Sequence, residues 1–306
     1  MSYRTKQTNE LLTQFRELTM RFGMSGTFLP SNMDDFTPEI ARKVRSFGFS
    51  GAFTRFREND PFETTTAQCH RVRDVLADEG IRMYQTTGYW QCLIHPDETE
   101  RKKAVRTVQE ALRVAGDIGA RGIDTGPGSM NPTGPWNPHP DNWSQRSKDQ
   151  LIKSLRECAK AAADNQVYLS LEGHQLVVLA NEKVTKEILD AVDSPWVRSD
   201  LDPANWVTLK TVYRTGEYID RIFDTLGTHI VSGHAKDVTL TNEHTLHLPT
   251  CAAGTGMLDF GAYIRRMDAL DPEYPLIVEG AQEAELPEVS DFLHRTAADL
   301  GIQVIQ

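Results

Sequence analysis

Val105, Val108, Leu112, Ala115 and Ile118 recur three and four apart within TERKKAVRTVQEALRVAGDIGA, the spacing of one buried face of an α-helix. The next residues, RGIDTGPG, change period: a short β-type run stops at a Gly-Pro-Gly turn. This succession of amphipathic helix and short strand recurs along the chain. TPEIARKVRSFG, with Thr37 as N-cap and Pro38 in the first turn, precedes GAFTRF. TAQCHRVRDVLADEG precedes IRMYQTTGYW, and SKDQLIKSLRECAKAAADNQ precedes VYLSLEGH. TKEILDAVDSP, GEYIDRIFDTLGT and DFGAYIRRMDALDPEYP lead into WVRSDLDPANW, HIVSGHAKDV and LIVEG. An opening strand near RFGMSGTF and a closing helix, LPEVSDFLHRTAADLG, complete about eight βα units. Regular alternation implies parallel strands joined by right-handed crossovers. In a chain of 306 residues, these units fit an α/β fold, a closed (β/α)8 TIM barrel forming one domain over residues 1–306, better than an open doubly wound sheet.

Composition narrows the partners. Apolar residues at 39% and charged residues at 25% describe a globular chain, with no apolar run near the ~20 residues that span a bilayer. The start, MSYRTKQTNELLTQF, has no apolar core behind its positive charges, so a cytoplasmic protein without membrane contact is expected. Four scattered cysteines, Cys69, Cys92, Cys158 and Cys251, lack zinc or disulfide spacing and read as reduced thiols. A net charge of -10 argues against a nucleic-acid partner, which needs a basic surface. No GxGxxG or GxxxxGK[ST] loop follows any strand, which weakens a nucleotide-binding reading.

In a barrel of this type, chemistry sits at the C-terminal ends of the strands. The later four ends carry Glu172 in SLEGH, Asp202 in DLDPAN, His234 in SGHAKD and Glu279 in IVEG, each one βα unit from the next. Converging carboxylates repel unless a cation neutralises them. Oxygen ligands with one imidazole suit Mn²⁺, Mg²⁺, Co²⁺ or Fe²⁺ better than a thiolate-type zinc site. Asp200 lies two residues before Asp202, on the same strand face, so spacing does not choose between them. Taken singly, each of these residues also reads as a strand-end turn or solvated side chain; four in succession favour a site.

At these residues the chain resembles the xylose isomerase-like superfamily of TIM barrels, the sugar isomerases and epimerases. The resemblance runs through LEGH, LDPAN, GHAKD, GTGMLDF and IVEG, in that order. It implies one divalent ion, Mn²⁺ foremost, on Glu172, Asp202, His234 and Glu279, and it favours Asp202 over Asp200. It further implies that Glu172 and Glu279 act as acid and base on opposite faces of the substrate. Asn205 stands where a substrate-binding His is frequent, a departure from the epimerase pattern. The superfamily's abasic-site endonucleases use three zinc ions and many more His ligands, and this acidic chain lacks that set.

A metal polarising a carbonyl stabilises the enediolate left when an α-proton departs. The expected substrate is therefore a keto-sugar or keto-glycoside. Isomerisation or epimerisation is the first reading; a lyase or dehydratase using the same enolisation for β-elimination is the second. His174, Asn205, Trp90 and Lys236 are the expected substrate contacts. The loop PWNPHPDNWS after the fourth strand is a candidate lid. Its two tryptophans, with Trp90 and Trp206, suit stacking on sugar faces, and its His139 is a candidate third acid/base group. A homo-oligomer is expected, and the lyase reading admits a small partner subunit.

Overall fold

The computed structural model describes residues 20–26 and 28–305; the N-terminal stretch read above for its lack of a leader lies outside them. Seven parallel strands follow in order: β1 (Met20–Ser25), β2 (Gly51–Thr54), β3 (Arg82–Thr87), β4 (Gly122–Thr125), β5 (Tyr168–Glu172), β6 (Val197–Leu201) and β7 (Ile230–Val238). After the short β8 (Thr250–Ala252), β9 (Leu276–Val278) pairs with both β7 and β1 and closes the barrel. The helices between are α1 (Pro38–Ser46), α2 (Thr66–Asp78), α3 (Glu98–Ile118), α4 (Gln145–Asn165), α5 (Glu182–Val192), α6 (Thr215–Leu226), α7 (Phe260–Leu270) and α8 (Leu286–Asp299). This is the closed eight-stranded βα barrel the alternation implied. Among the described residues, no helix is long and apolar enough to cross a membrane.

Helix boundaries follow local chemistry. Asp97 caps α3 by accepting from Thr99 N at 2.7 Å and Glu100 N at 3.2 Å, and Gly119 ends it in a left-handed turn. The stripe on α3 is buried against the barrel: Val108 and Leu112 lose all exposure, each worth ~1.5–3 kcal/mol. Thr37 takes the N-cap position of α1 without a side-chain capping hydrogen bond. Two strands are additions to the expected pattern. β8 runs antiparallel to the last residues of β7, and β10 (Val304–Ile305) pairs with the first residues of β1.

The barrel interior positions the site. Alternate residues of a strand share a face, so inward pairs two apart form a lower and an upper layer: Ser170 and Glu172, Asp200 and Asp202, Ser232 and His234, Ile277 and Glu279. Phe53, Tyr84 and Ile277 make a small apolar cluster separate from the main core, and the Phe53 ring stacks beneath His234 at 6.0 Å. The register between β6 and β7 shifts at Ser199/Asp200, so Asp200 pairs with Ser232 while Ser199 pairs with Ile230. That irregularity brings Asp200 under His234.

Candidate active site and metal centre

Glu172, Asp202, His234 and Glu279 each present a ligand-type atom within 4.8 Å of the others. Glu172, Asp202 and His234 are buried, and Glu279 is nearly so. His234 Nδ1 has no hydrogen-bond partner and lies 3.3 Å from Glu279 Oε2 and 3.7 Å from Glu172 Oε1. Asn205 donates to Glu172 Oε1 at 2.7 Å, and Asp202 Oδ1 accepts from Ala204 N at 3.1 Å. Lys236 projects into the ring: its ammonium pairs with Asp202 and lies 3.1 Å from Glu279 Oε2 and 3.7 Å from Glu172 Oε1.

Electrostatics divides the acids. Burial pushes Asp202 up to about 7, with Lys236 pulling the other way. Burial acts on Glu279 in the same sense, but His234, Lys236 and Arg55 outweigh it and hold this carboxyl well below its ordinary range. Burial opposes charge on His234 and Lys236 too; neighbouring carboxylates, Asp200 first for His234 and Asp202 first for Lys236, overcome it and raise both.

Beneath the ring, His234 Nε2 lies 3.1 Å from Asp200 Oδ2, while Ser232 Oγ donates to Asp200 Oδ1 at 2.7 Å. The Gln85 amide also donates to Asp200. The open choice between the two aspartates is thereby decided by layer: Asp202 reaches the ring, and Asp200 contacts the far nitrogen of its imidazole. Asp124 on β4 is fully buried, and neither of its oxygens has a hydrogen-bond partner. Burial, with Glu172 and Asp200 nearby, raises it well above the usual carboxylate range. Arg55, just past β2, pairs with Glu279 and lies 3.9 Å from Asp124 Oδ2.

Above the ring lies a cavity of about 480 Å³ lined by Arg55, Trp90, Trp136, Glu172, His174, Asn205, Lys236, Glu279 and Gly280. The four expected substrate contacts, His174, Asn205, Trp90 and Lys236, all line it. His174 Nδ1 accepts from Leu176 N at 3.1 Å, and burial, then Lys236, keeps the ring below its ordinary pKa. Trp136 from the long loop meets Trp90 edge-on at 5.7 Å and His174 at 6.2 Å. His139 does not line the cavity: its Nδ1 accepts from Asp141 N at 3.2 Å, capping the turn at Pro140–Trp143. Trp143 is half exposed and donates to Gln175 O. The expectation of a sugar-stacking Trp206 is corrected. That indole is buried, donates to Leu179 O at 3.0 Å, and packs so closely on Gly173 that any Cβ there would strike it.

The model of the xylose isomerase-like TIM barrel family matches residues 41–296. The chain belongs to this family. No curated protein matches the sequence. Among solved structures, a xylose isomerase domain protein from Planctomyces limnophilus is 16% identical, with a TM-score of 0.71 over 94% of this chain and 99% of its own. A xylose isomerase-like TIM barrel protein from Mycobacterium smegmatis in complex with magnesium is 17% identical, with a TM-score of 0.69 over 92% and 97%. The 3-keto-D-glucoside 4-epimerase from E. coli is also 17% identical, with a TM-score of 0.65 over 92% and 99%. At these identities the likeness is one of fold.

Within this xylose isomerase-like barrel, the donor set suits a divalent cation. Three carboxylates and one imidazole converge, and of the two buried imidazole nitrogens, neither with a hydrogen-bond partner, Nδ1 faces Glu172 and Glu279. Arg55 and Asp124 are members of the site that strand-end reading did not single out, whereas Trp136, one of the two loop tryptophans expected to meet a sugar, does line the cavity. Arg55 had a signal: it follows Phe53 by two in GAFTRF and therefore shares its inward face.

Proposed function

We propose that the protein is a divalent-metal-dependent isomerase or epimerase acting on a keto-sugar by moving the proton α to its carbonyl. The observation that carries this reading is the pair Glu172 and Glu279, which share one cavity and one four-residue ring with Asp202 and His234. The shared fold with a 3-keto-D-glucoside 4-epimerase supports it, and a magnesium complex of another neighbour supports the ion. Mn²⁺ is the proposed occupant, Mg²⁺ the alternative, because the donors are mostly hard oxygens with a single nitrogen.

When bound, the ion would polarise the substrate carbonyl and offset the charge left by the departing proton. Glu279, which faces the cavity beside Lys236 and Arg55, takes that proton. Glu172, fixed by the Asn205 amide, returns one from the other side. Because a backbone N–H donates to His174 Nδ1, the neutral ring carries its proton on Nε2 and donates to a substrate oxygen. Trp90 and Trp136 give the sugar's C–H face an aromatic wall. A cavity of about 480 Å³ also leaves room for a leaving group, which favours β-elimination as the second reading.

The test is incubation of Mn²⁺-loaded protein in D₂O with keto-sugars and 3-keto-glucosides. Deuterium in a rearranged sugar supports isomerisation or epimerisation, whereas release of the aglycone supports elimination. Glu172→Gln and Glu279→Gln should each slow exchange by at least ~100-fold. Turnover without solvent exchange or an isotope effect at the α-carbon would refute proton transfer and point to hydride transfer.

A further inference from the structure

Tyr89 and Trp90 both hold positive φ, 60° and 42°, a left-handed backbone that bulky residues adopt only when their surroundings enforce it. The enforcing contacts are specific. Tyr89 N donates to Thr87 Oγ1 at 2.9 Å, and the Tyr89 hydroxyl donates to Asn59 O at 2.9 Å. Gly88 N donates to Asp124 O at 2.7 Å. Gly128, also at positive φ, brings the loop after β4 so close to Cys92 that a Cβ there would strike its backbone.

The result is that Trp90 belongs to two cavities. One is the charged cavity of the ring. The other, of about 440 Å³, lies between the loops that follow β3 and β4 and also includes Trp90 in its lining. The two differ in chemistry. Arg55, Glu172, Lys236 and Glu279 face the first, whereas the second has no Asp, Glu, Lys or Arg in its lining. Its apolar walls come from Trp90, Met130, Pro96, Pro132 and Pro135. Its polar side chains, His95 among them, are largely engaged by the loops themselves: Gln91 donates to Tyr89 O, Asn131 to Pro138 O and Ser129 to Asn137 O, and His95 Nδ1 accepts from Asp97 N. Few hydrogen-bonding groups are left for a ring rich in hydroxyls, while flat apolar surfaces suit an aromatic ring. The Trp90 Nε1 donor is buried and unpartnered.

We propose that this second cavity binds a neutral aromatic aglycone, so that the substrate is an aryl glycoside lying across Trp90 with its sugar at the acidic ring. The assignment of the sugar end rests on the proposed function; the aglycone site rests on the second cavity's own lining.

The test is calorimetric binding of phenyl β-D-glucopyranoside and methyl β-D-glucopyranoside to the full Mn²⁺-loaded chain, which needs no turnover. The wild type should bind the phenyl compound at least about tenfold more tightly, ~1.4 kcal/mol. Gln91→Trp, which fills the second cavity from a side chain bonded to Tyr89 O, should bring the two glucosides within about twofold. Equal affinities in the wild type overturn the proposal without recourse to any variant, as does a phenyl advantage that survives Gln91→Trp. In a crystal of the phenyl complex, a ring beside Met130 and Pro132 supports the proposal, and a ring elsewhere sinks it. Should solvent exchange fail while the phenyl advantage and its loss in Gln91→Trp hold, the proposed reaction falls and the second cavity stands.

Discussion

Replacing Asp200 with Asn probes whether the lower layer of the barrel tunes the ring above it. Asp200 is fully buried and accepts from Ser232 and Gln85 while facing His234 Nε2 at 3.1 Å. Holding a proton on Nε2 leaves the Nδ1 lone pair directed at Glu172 and Glu279, where a cation would sit. An Asn of the same shape can keep its oxygen towards His234 and Gln85 and turn its amide to the Ser232 hydroxyl, but it faces Nε2 with a neutral acceptor in place of a carboxylate. Loss of such a partner weakens metal binding by ~10–100-fold, or ~1.4–2.7 kcal/mol. The metal-free protein should lose stability as well. It loses the carboxylate that most strongly favours charge on His234, while removing a negative charge close to Asp124 relieves some repulsion. Titrating Mn²⁺ into chelator-stripped wild type and Asp200→Asn measures the affinity directly. The Tm gain on saturation should shrink in step, because ligand stabilisation follows the ratio of free ion to Kd. Affinities within about threefold of each other, with equal Tm gains, would show that Asp200 does not orient His234.

Two further outcomes test the frame around the site. Asp237 accepts from the N–H groups of Val238, Gly254, Gly256 and Leu258 at 2.8, 3.1, 2.8 and 2.9 Å. Asp237→Ala should therefore cost ~2–4 kcal/mol and lower Tm by roughly 4–12 °C, and a fall under about 2 °C would contradict this anchoring role. Burial holds the His294 imidazole below its ordinary range, against an opposing pull from Asp291. Its unfolded-state pKa is ~6.5, so below that pH the unfolded chain takes up the proton first. Stability is then full above that value and falls as pH drops towards the folded pKa. Melting curves at about pH 7.5 and about pH 5.5 should show a smaller loss for His294→Gln than for wild type; equal losses would exclude the linkage.

The succession of helices and strands was legible in the chain because it depends on short-range periods, such as the stripe from Val105 to Ile118 on α3. The four ring residues were legible for a related reason. They end consecutive strands of one parallel sheet, so order along the chain becomes adjacency in space. Spacing did not choose between Asp200 and Asp202, since residues two apart share a face; the family resemblance favoured Asp202, and the closed barrel, with its register shift beside β7, separates their depths. Arg55, just past β2, reaches Glu279 and approaches Asp124 over an intervening strand on each side, β1 and β3, contacts that order along the chain does not predict. Lys236 and Trp206 make the same point in opposite directions. Both follow strand-end ligands in sequence, yet packing sends the ammonium into the acidic ring and the indole beneath Gly173. Local pattern determines which face a side chain takes; depth, partner and exposure are decided by what the closed barrel brings against it.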